Sequence, residues 1–389
     1  FIKLMPDGAT IACIDNIWIQ VVSIGGAELT LAPYQDGAGT GRYDLFRARQ
    51  TMLDDAFKTG IDEIRFFQIK TRANIPEAPP HVVKALQSVQ ARWNGRFQKI
   101  HRLRNYAVLS VTARTYAEAQ ATLERAVSFL RSTMAHYDVK LLAEPENPDV
   151  PGALENSPLA LIARIASPIS APTPRARNYA DRVSHLLTAD RVSFRRNEKR
   201  GVIRFSAGRT DRYATIIGVR DCGDKTAESI MRQIISLPIE MIVHQIVRPH
   251  DPNRDLLTLK IEESNAPLMR LSTNAAYEIQ DVLAMVEGQD SMNRATLHDY
   301  ACSIIVYGDT PEDCFESEGK IHAALSTAGA TSVREGVHAQ ATWFSQFPGD
   351  KQIPRTFRYL STNVACNLFL QRPNEGILTS NWAQRPICF

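Results

Sequence analysis

What this chain of 389 residues lacks narrows the field first. Its six cysteines, Cys13, Cys222, Cys302, Cys314, Cys366 and Cys388, form no C-x-x-C pair and no Cys/His array with zinc spacing. That excludes a zinc finger or ribbon. Thiols scattered through apolar segments read as small core residues suited to a reducing compartment. No run approaches the ~20 apolar residues of a membrane-spanning helix. The longest, "LALIARIA" (159–166), is far too short. No signal peptide is read at the start. A large excess of one charge is also missing. The formal net charge of +3 is too small to argue for nucleic acid or an anionic membrane as partner. The local basic clusters, "RFQKIHRLR" (96–104) and "RRNEKR" (195–200), read as a solvated helix end and a hairpin tip. Catalytic signatures are missing too, with no H-E-x-x-H, G-x-S-x-G or G-x-G-x-x-G. Glu262-Glu263 and Asp54-Asp55 are neighbours whose side chains diverge on a helix or strand. His244 and His338 lie in or beside expected strands and read as structural.

What is there is a chain with a sizeable core. It is 44% hydrophobic and long enough for two or three domains. Residues 12–24 read as a strand or hairpin, and "GAGTG" (37–41) as a loop. In 43–57, Leu45, Phe46, Leu53, Ala56 and Phe57 fall near one helical face, with Gly60 as a stop. The strand "EIRFFQIK" follows, then a helix opened by Pro79-Pro80. The strand "YAVLSVTAR" leads to a helix whose capping box is Thr115-x-x-Glu118. "YDVKLL" closes this β-α-β-α-β-α-β unit. Residues 149–180, rich in Pro, Ser and Ala, read as a linker holding one short helix at 159–166. The same element order then returns between 181 and 339, after a hairpin with its tip at "NEKRG".

Residue matches accompany the repeated order. "NYAVLSVTARTYAEAQATLERAVSFLRST" (105–133) lies without a gap on "DYACSIIVYGDTPEDCFESEGKIHAALST" (299–327). "EIRFFQI" (63–69) matches "EMIVHQI" (240–246) at its Glu and its final Gln-Ile. The expected fold class is therefore α/β of the α+β type. It comprises two tandem, duplicated units, 1–148 and 181–339, each an open sheet with helices on one face in the manner of a split β-α-β. Residues 340–389 read as a connector, with "TWFSQF" as a strand, "PGD" as a turn and "STNVACNLFL" as a Ser-capped helix.

One stretch imitates a nucleotide site. "GVRDCGDKT" (218–226) sits between a strand and a helix, close to the P-loop order G-x-x-x-x-G-K-[ST]. Asp224 intrudes before Lys225. An Asp there caps the helix, takes up the N–H groups a phosphate needs, and repels the phosphate's charge. Asp309, at the end of "CSIIVYGD", could stand in for a magnesium ligand, yet Asp309-Thr310-Pro311 equally opens a helix. Lys225 and Asp309 are therefore not expected to be catalytic, and no catalytic, cofactor or metal residue is assigned in this chain.

The last fifty residues resemble the N-terminal region of the CagE/TrbE/VirB family of type IV secretion and conjugation ATPases. The resemblance is carried by Trp343, Pro348-Gly349, Pro354-Arg355, Ser361-Thr362-Asn363 with Ala365, and Ser380-Asn381 before Pro386. It extends loosely over residues 100–389. It implies a docking module that is itself non-catalytic. ATP and Mg²⁺ would be bound by a P-loop domain beyond residue 389, and the start at Phe1 and the stop at "PICF" fit a piece of a longer polypeptide. The implied partners are other inner-membrane components and further copies, up to a hexamer, on the cytoplasmic face of a Gram-negative inner membrane. No direct nucleic-acid contact is expected. The alternative is a nucleic-acid-binding module whose strand aromatics Trp18, Phe66, Phe67 and Tyr106 stack on bases.

Overall fold

The structure is a computed structural model. It describes residues 3–25, 40–72, 87–88, 101–145, 156–169, 191–194, 201–221, 229–250, 260–261, 280, 282–286 and 295–370. Asp224 and Lys225, most of the helix expected after Pro79-Pro80 (its residues 87 and 88 are helical), Glu262-Glu263, the basic residues 96–100 and 195–200, and Ser380, Asn381 and Pro386 lie outside those residues.

The first hairpin forms over the stretch read as a strand or hairpin. Strands β1 (Lys3–Leu4), β2 (Thr10–Ala12) and β3 (Ile17–Ile24) pair in succession. Asp15 and Asn16 turn the hairpin at φ of 58° and 57°. Short polar side chains tolerate that left-handed pair, which matches the right-handed twist of the strands. Helix α1 (Thr40–Ala56) begins inside the expected loop and takes in Gly41. A 3₁₀ turn over Phe57–Thr59 then ends at Gly60, φ 100°, where a side chain would be strained. Strand β4 (Glu63–Arg72), strand β5 (His101–Thr112), helix α2 (Tyr116–Thr133) and strand β6 (Val139–Leu141) follow. Helix α3 (Pro158–Ala166) carries the short apolar run, capped by Ser157 Oγ, which accepts from Ala160 N at 3.1 Å.

The second half holds strands β7 (Arg191–Phe194), β8 (Ile203–Ala207) and β9 (Thr210–Asp221), helix α4 (Ser229–Ser236), strand β10 (Met241–Pro249), strand β11 (Leu297–Gly308), helix α5 (Pro311–Thr327) and strand β12 (Thr331–Arg334). Helix α6 (Ala339–Ser345), strand β13 (Phe357–Leu360) and helix α7 (Ser361–Asn367) complete the described chain.

The class is α/β, and its strands form one antiparallel sheet. The order is β1-β2-β3-β5-β4-β10-β11-β9-β8-β7, with β6 on β3, β12 on β9 and β13 on β11. The run β3-β5-β4 meets the run β10-β11-β9, so the strand order of one half is retraced outward in the other. The two runs join where β4 lies against β10, from Ile64–Val247 to Lys70–Met241.

Face assignment separates the two sequence matches. Tyr106 belongs to one face of the sheet and Tyr300 to the other. The gapless match of 105–133 on 299–327 pairs these tyrosines, so it is out of phase by an odd number of residues, which flips every side chain. The match of 63–69 on 240–246 keeps its faces: Gln68 and Gln245 point the same way, and both donate to carbonyls near the end of α7.

Helices cover both faces, where one was expected. On the first face α1, α2, α4, α5 and α7 bury Phe66, Leu109, Val243 and Ile304. On the second, α3 and α6 bury Phe67, Val108, Ile216 and Ile305 with Leu159, Ile162, Ile165 and Trp343. Near-continuous apolar strands are what a sheet buried on both sides requires, and β11 reads "YACSIIVYG" over its buried length.

The helices after β5 and β11 start on the same chemistry. Thr115 Oγ1 accepts from Glu118 N at 3.3 Å. Thr310 Oγ1 accepts from Asp313 N at 3.2 Å while Asp313 returns the bond to Thr310 N at 3.0 Å. Thr310, and not Asp309, is therefore the cap. Thr115→Ala and Thr310→Ala should each cost about 1 kcal/mol, measured as a lower urea midpoint with an unchanged slope.

Candidate functional site: the clamp on the C-terminal segment

Most of the family-like residues converge on the second face of the sheet, around α6 and the turn after it. The run read as a strand, "TWFSQF", is helical. Ala339, Thr342, Trp343 and Gln346 point inward at helical spacing. A short aromatic run carries both periods, and burial of Trp343 against Phe205, Phe194 and Phe347 decides for the helix. Pro348 is buried, and its carbonyl faces Cys13 Sγ at 4.0 Å. Gly349 has φ 94°, and a Cβ there would meet Cys13 Cβ at 3.3 Å. Burial pushes the Cys13 thiol up to about 12, so it behaves as a small apolar group.

The centre of this arrangement is Arg65 on β4, whose side chain is fully buried. Its guanidinium donates to the carbonyls of Ser345, Phe347 (2.6 Å) and Asp350, and to Glu63. Arg248 on β10 donates to the other oxygen of Glu63 at 2.7 Å and to Lys351 O at 3.4 Å. Two guanidiniums that share the Glu63 carboxylate thus take up the carbonyl of Ser345 at the end of α6 and three carbonyls of the turn after it. A planar five-donor fork suits that task, and the local carboxylate offsets part of the cost of burying the charge.

A second ion pair sits next to it. Arg355 grips both oxygens of Glu335, one at 3.2 Å, and Glu335 is 1% exposed. The carboxylate occupies the space beside Gly218, where a Cβ would overlap Glu335 Oε1 and press on Arg355. Gly218 is therefore a strand residue of β9, opposite Ser303 and Val333. It admits a carboxylate against the backbone. Asp309 at the end of β11 is held by Arg72 at 2.8 Å and Arg212 at 3.2 Å, and the Arg72 hydrogen bond holds its pKa down. Among the described residues no group of three or more His, Cys, Asp or Glu could hold a metal.

From the second face the chain passes to the first by joining the sheet. Strand β13 pairs with the first half of β11, from Leu297–Leu360 to Tyr300–Phe357, and β9 occupies the second half. Ser361 opens α7 as its first residue, not as its cap. Its N–H donates to Thr296 O at 2.8 Å, and its Oγ accepts from Thr296 N at 3.2 Å. Asn363 is half-buried on α7, and Pro354 is exposed. The last carbonyls are met by buried side chains. Arg49 donates to Ala365 O at 3.0 Å, Gln245 to Asn367 O at 3.1 Å, and Gln68 to Phe369 O. Helix ends leave such carbonyls without intrahelical partners, and here the sheet and α1 supply the donors.

A sequence model of the CagE, TrbE, VirB family, component of type IV transporter system, matches residues 157–355, just over half of the chain. The chain belongs to this family. It is similar to the type IV secretion system protein virB4 of Bartonella quintana (strain Toulouse), 22% identical over 170 residues. It is likewise similar to virB4 of Bartonella henselae, 23% identical over 175 residues. Each match covers 43% of this chain and 20% of the relative, so the matched stretch spans about a fifth of those proteins.

Within this CagE/TrbE/VirB chain, the matched stretch includes Trp343, Pro348, Gly349, Pro354 and Arg355 and stops before Ser361 and Asn363. Sequence reading missed Glu335, the partner of Arg355, and it missed Arg65, Arg49, Gln68 and Gln245, which bond other residues of the same segment. A signal existed for Arg65: it interrupts the apolar run "EIRFFQI" on the side of Phe67. Its partners lie some 280 residues away, beyond the reach of any local pattern.

Two buried histidines couple the clamp to pH. Burial, and then the Arg65 charge, hold His244 well below its ordinary range, where it stacks on Phe67 at 4.7 Å. Burial brings His298, hydrogen-bonded to Thr296 at 2.8 Å, down to about 4. Both stay neutral in the fold while the unfolded chain takes up protons below its ordinary pKa of 6.5. Their stabilisation is complete above that value and is lost as pH falls from it toward about 4 and lower. His298 alone should account for on the order of 3 kcal/mol over that window. Urea midpoints measured against pH should fall there, and His298→Asn should flatten the slope.

Arg65→Met should cost on the order of 3–5 kcal/mol, with Arg65→Lys recovering little because a single ammonium cannot span three carbonyls and a carboxylate. Gly218→Ala should cost about 1–3 kcal/mol through overlap with Glu335. Thermal and urea unfolding of the purified chain check both.

Proposed function

We propose that this chain is the N-terminal docking and assembly module of a type IV secretion (conjugation) ATPase, and that it is itself non-catalytic. One observation carries the reading. The family-like segment directs its polar groups inward, to Arg65, Arg248 and Glu335, while the phosphate-loop lookalike begins inside strand β9 with a carboxylate against Gly218. In this reading ATP and Mg²⁺ belong to a P-loop domain that follows residue 389. The parent protein energises pilus assembly and substrate transport. It works as a hexamer at the cytoplasmic face of the inner membrane of a Gram-negative bacterium, against other inner-membrane components of the machine. The described residues contain no helix long and apolar enough to cross a membrane.

The nucleic-acid reading needs strand aromatics open to stacking. Phe66, Phe67 and Tyr106 are buried in the two cores. Trp18 donates its indole N–H to Ala113 O at 3.0 Å and packs by Tyr116 at 5.8 Å.

Calorimetric titration of residues 1–389 with Mg·ATP should give no binding heat. Micromolar, Mg²⁺-dependent binding would falsify the non-catalytic reading. A salt-dependent gel shift lost in Arg102→Ala/Arg104→Ala would transfer the assignment to nucleic acid.

A further inference from the structure

Several buried polar atoms at the seam between α6 and the sheet have no hydrogen-bond partner among the described residues. They are His244 Nε2, Thr342 Oγ1, Trp343 Nε1 and both amide atoms of Gln346. His244 is 1% exposed and Thr342 6%. These two also line a cavity of about 20 Å³, together with Gly218, Ser303, Glu335 and Arg355. A buried donor or acceptor left unmatched is destabilising, so two such atoms at one cavity point to a ligand that serves both.

Size and chemistry define that ligand. A water needs roughly 10–15 Å³ and two to four polar partners. The cavity meets the volume and is too small for a phosphate, a nucleotide or a side chain of another protein. We propose that one ordered water occupies it and bridges His244 on β10 to Thr342 on α6, with the Glu335 carboxylate as third partner. The neutral imidazole offers Nε2, the threonine hydroxyl can donate or accept, and each carboxylate oxygen keeps a lone pair beyond its bond to Arg355. Gly218 makes the geometry available, since a Cβ there would displace Glu335. Pro354 and Arg355 line the same cavity from the C-terminal segment. The water ties that segment to the strand pair on which the two halves meet.

A high-resolution crystal structure of the 389-residue chain is the test. It should show one solvent peak about 2.7–3.2 Å from both His244 Nε2 and Thr342 Oγ1. Thr342→Val keeps the side-chain shape and removes the hydroxyl. Its crystals should lose the peak, and its unfolding equilibrium constant should rise about 5- to 30-fold. Thr342→Ser should retain both peak and stability. The proposal is overturned by a protein atom bonded directly to His244 Nε2, by no peak, by a larger ligand, or by a peak that persists in Thr342→Val.

Discussion

The arrangement of this domain depends on a buried guanidinium. Arg65 leaves β4 on the sheet's second face and meets the carbonyls of Ser345, Phe347 and Asp350. A turn packed against a sheet buries backbone oxygens that need donors, and here two side chains of the sheet supply them. A charged donor makes stronger bonds than a neutral one, and Glu63, shared with Arg248, balances it. Because Arg65 stands on β4 and Arg248 on β10, the turn bridges the two strands that join the halves. Packing, charge and topology meet at that point.

A related constraint shapes the start of the phosphate-loop-like stretch. A phosphate loop offers free N–H groups above a helix end. Gly218 instead lies in a ladder, paired with Ser303 on one side and Val333 on the other. Its missing side chain makes room for Glu335, which Arg355 neutralises. A glycine that looked like a nucleotide ligand is a packing residue for an ion pair of the C-terminal segment.

The strands were largely legible along the chain, although two separate sheets were expected and one is formed. Apolar stretches located β3, β4, β5, β9, β10 and β11, and the cap Thr115 was written in the local sequence, as was the helix start at Asp309-Thr310-Pro311. Three things were not. The helix α6 has aromatics whose spacing suits a strand equally well, and only their burial against Phe205 and Phe347 decides. Cover on the second face comes from α3 and α6, elements that sequence placed in a linker and a connector. Arg65 lies some 280 positions from the turn it holds, and the gapless match paired Tyr106 with Tyr300 although they face opposite sides of the sheet.

In this member of a type IV transporter family, the C-terminal segment is clamped first on one face, then in the sheet, then on the other. The central claim is that this segment belongs to the cooperative core. Native-state hydrogen exchange measures it most directly. If Arg65, Arg49, Gln68 and Gln245 hold the segment as described, the amides of β13 and α7 exchange only through the same opening that exposes β4 and β10. Exchange of β13 and α7 by an independent, low-energy opening, while β4 and β10 stay protected, would contradict it.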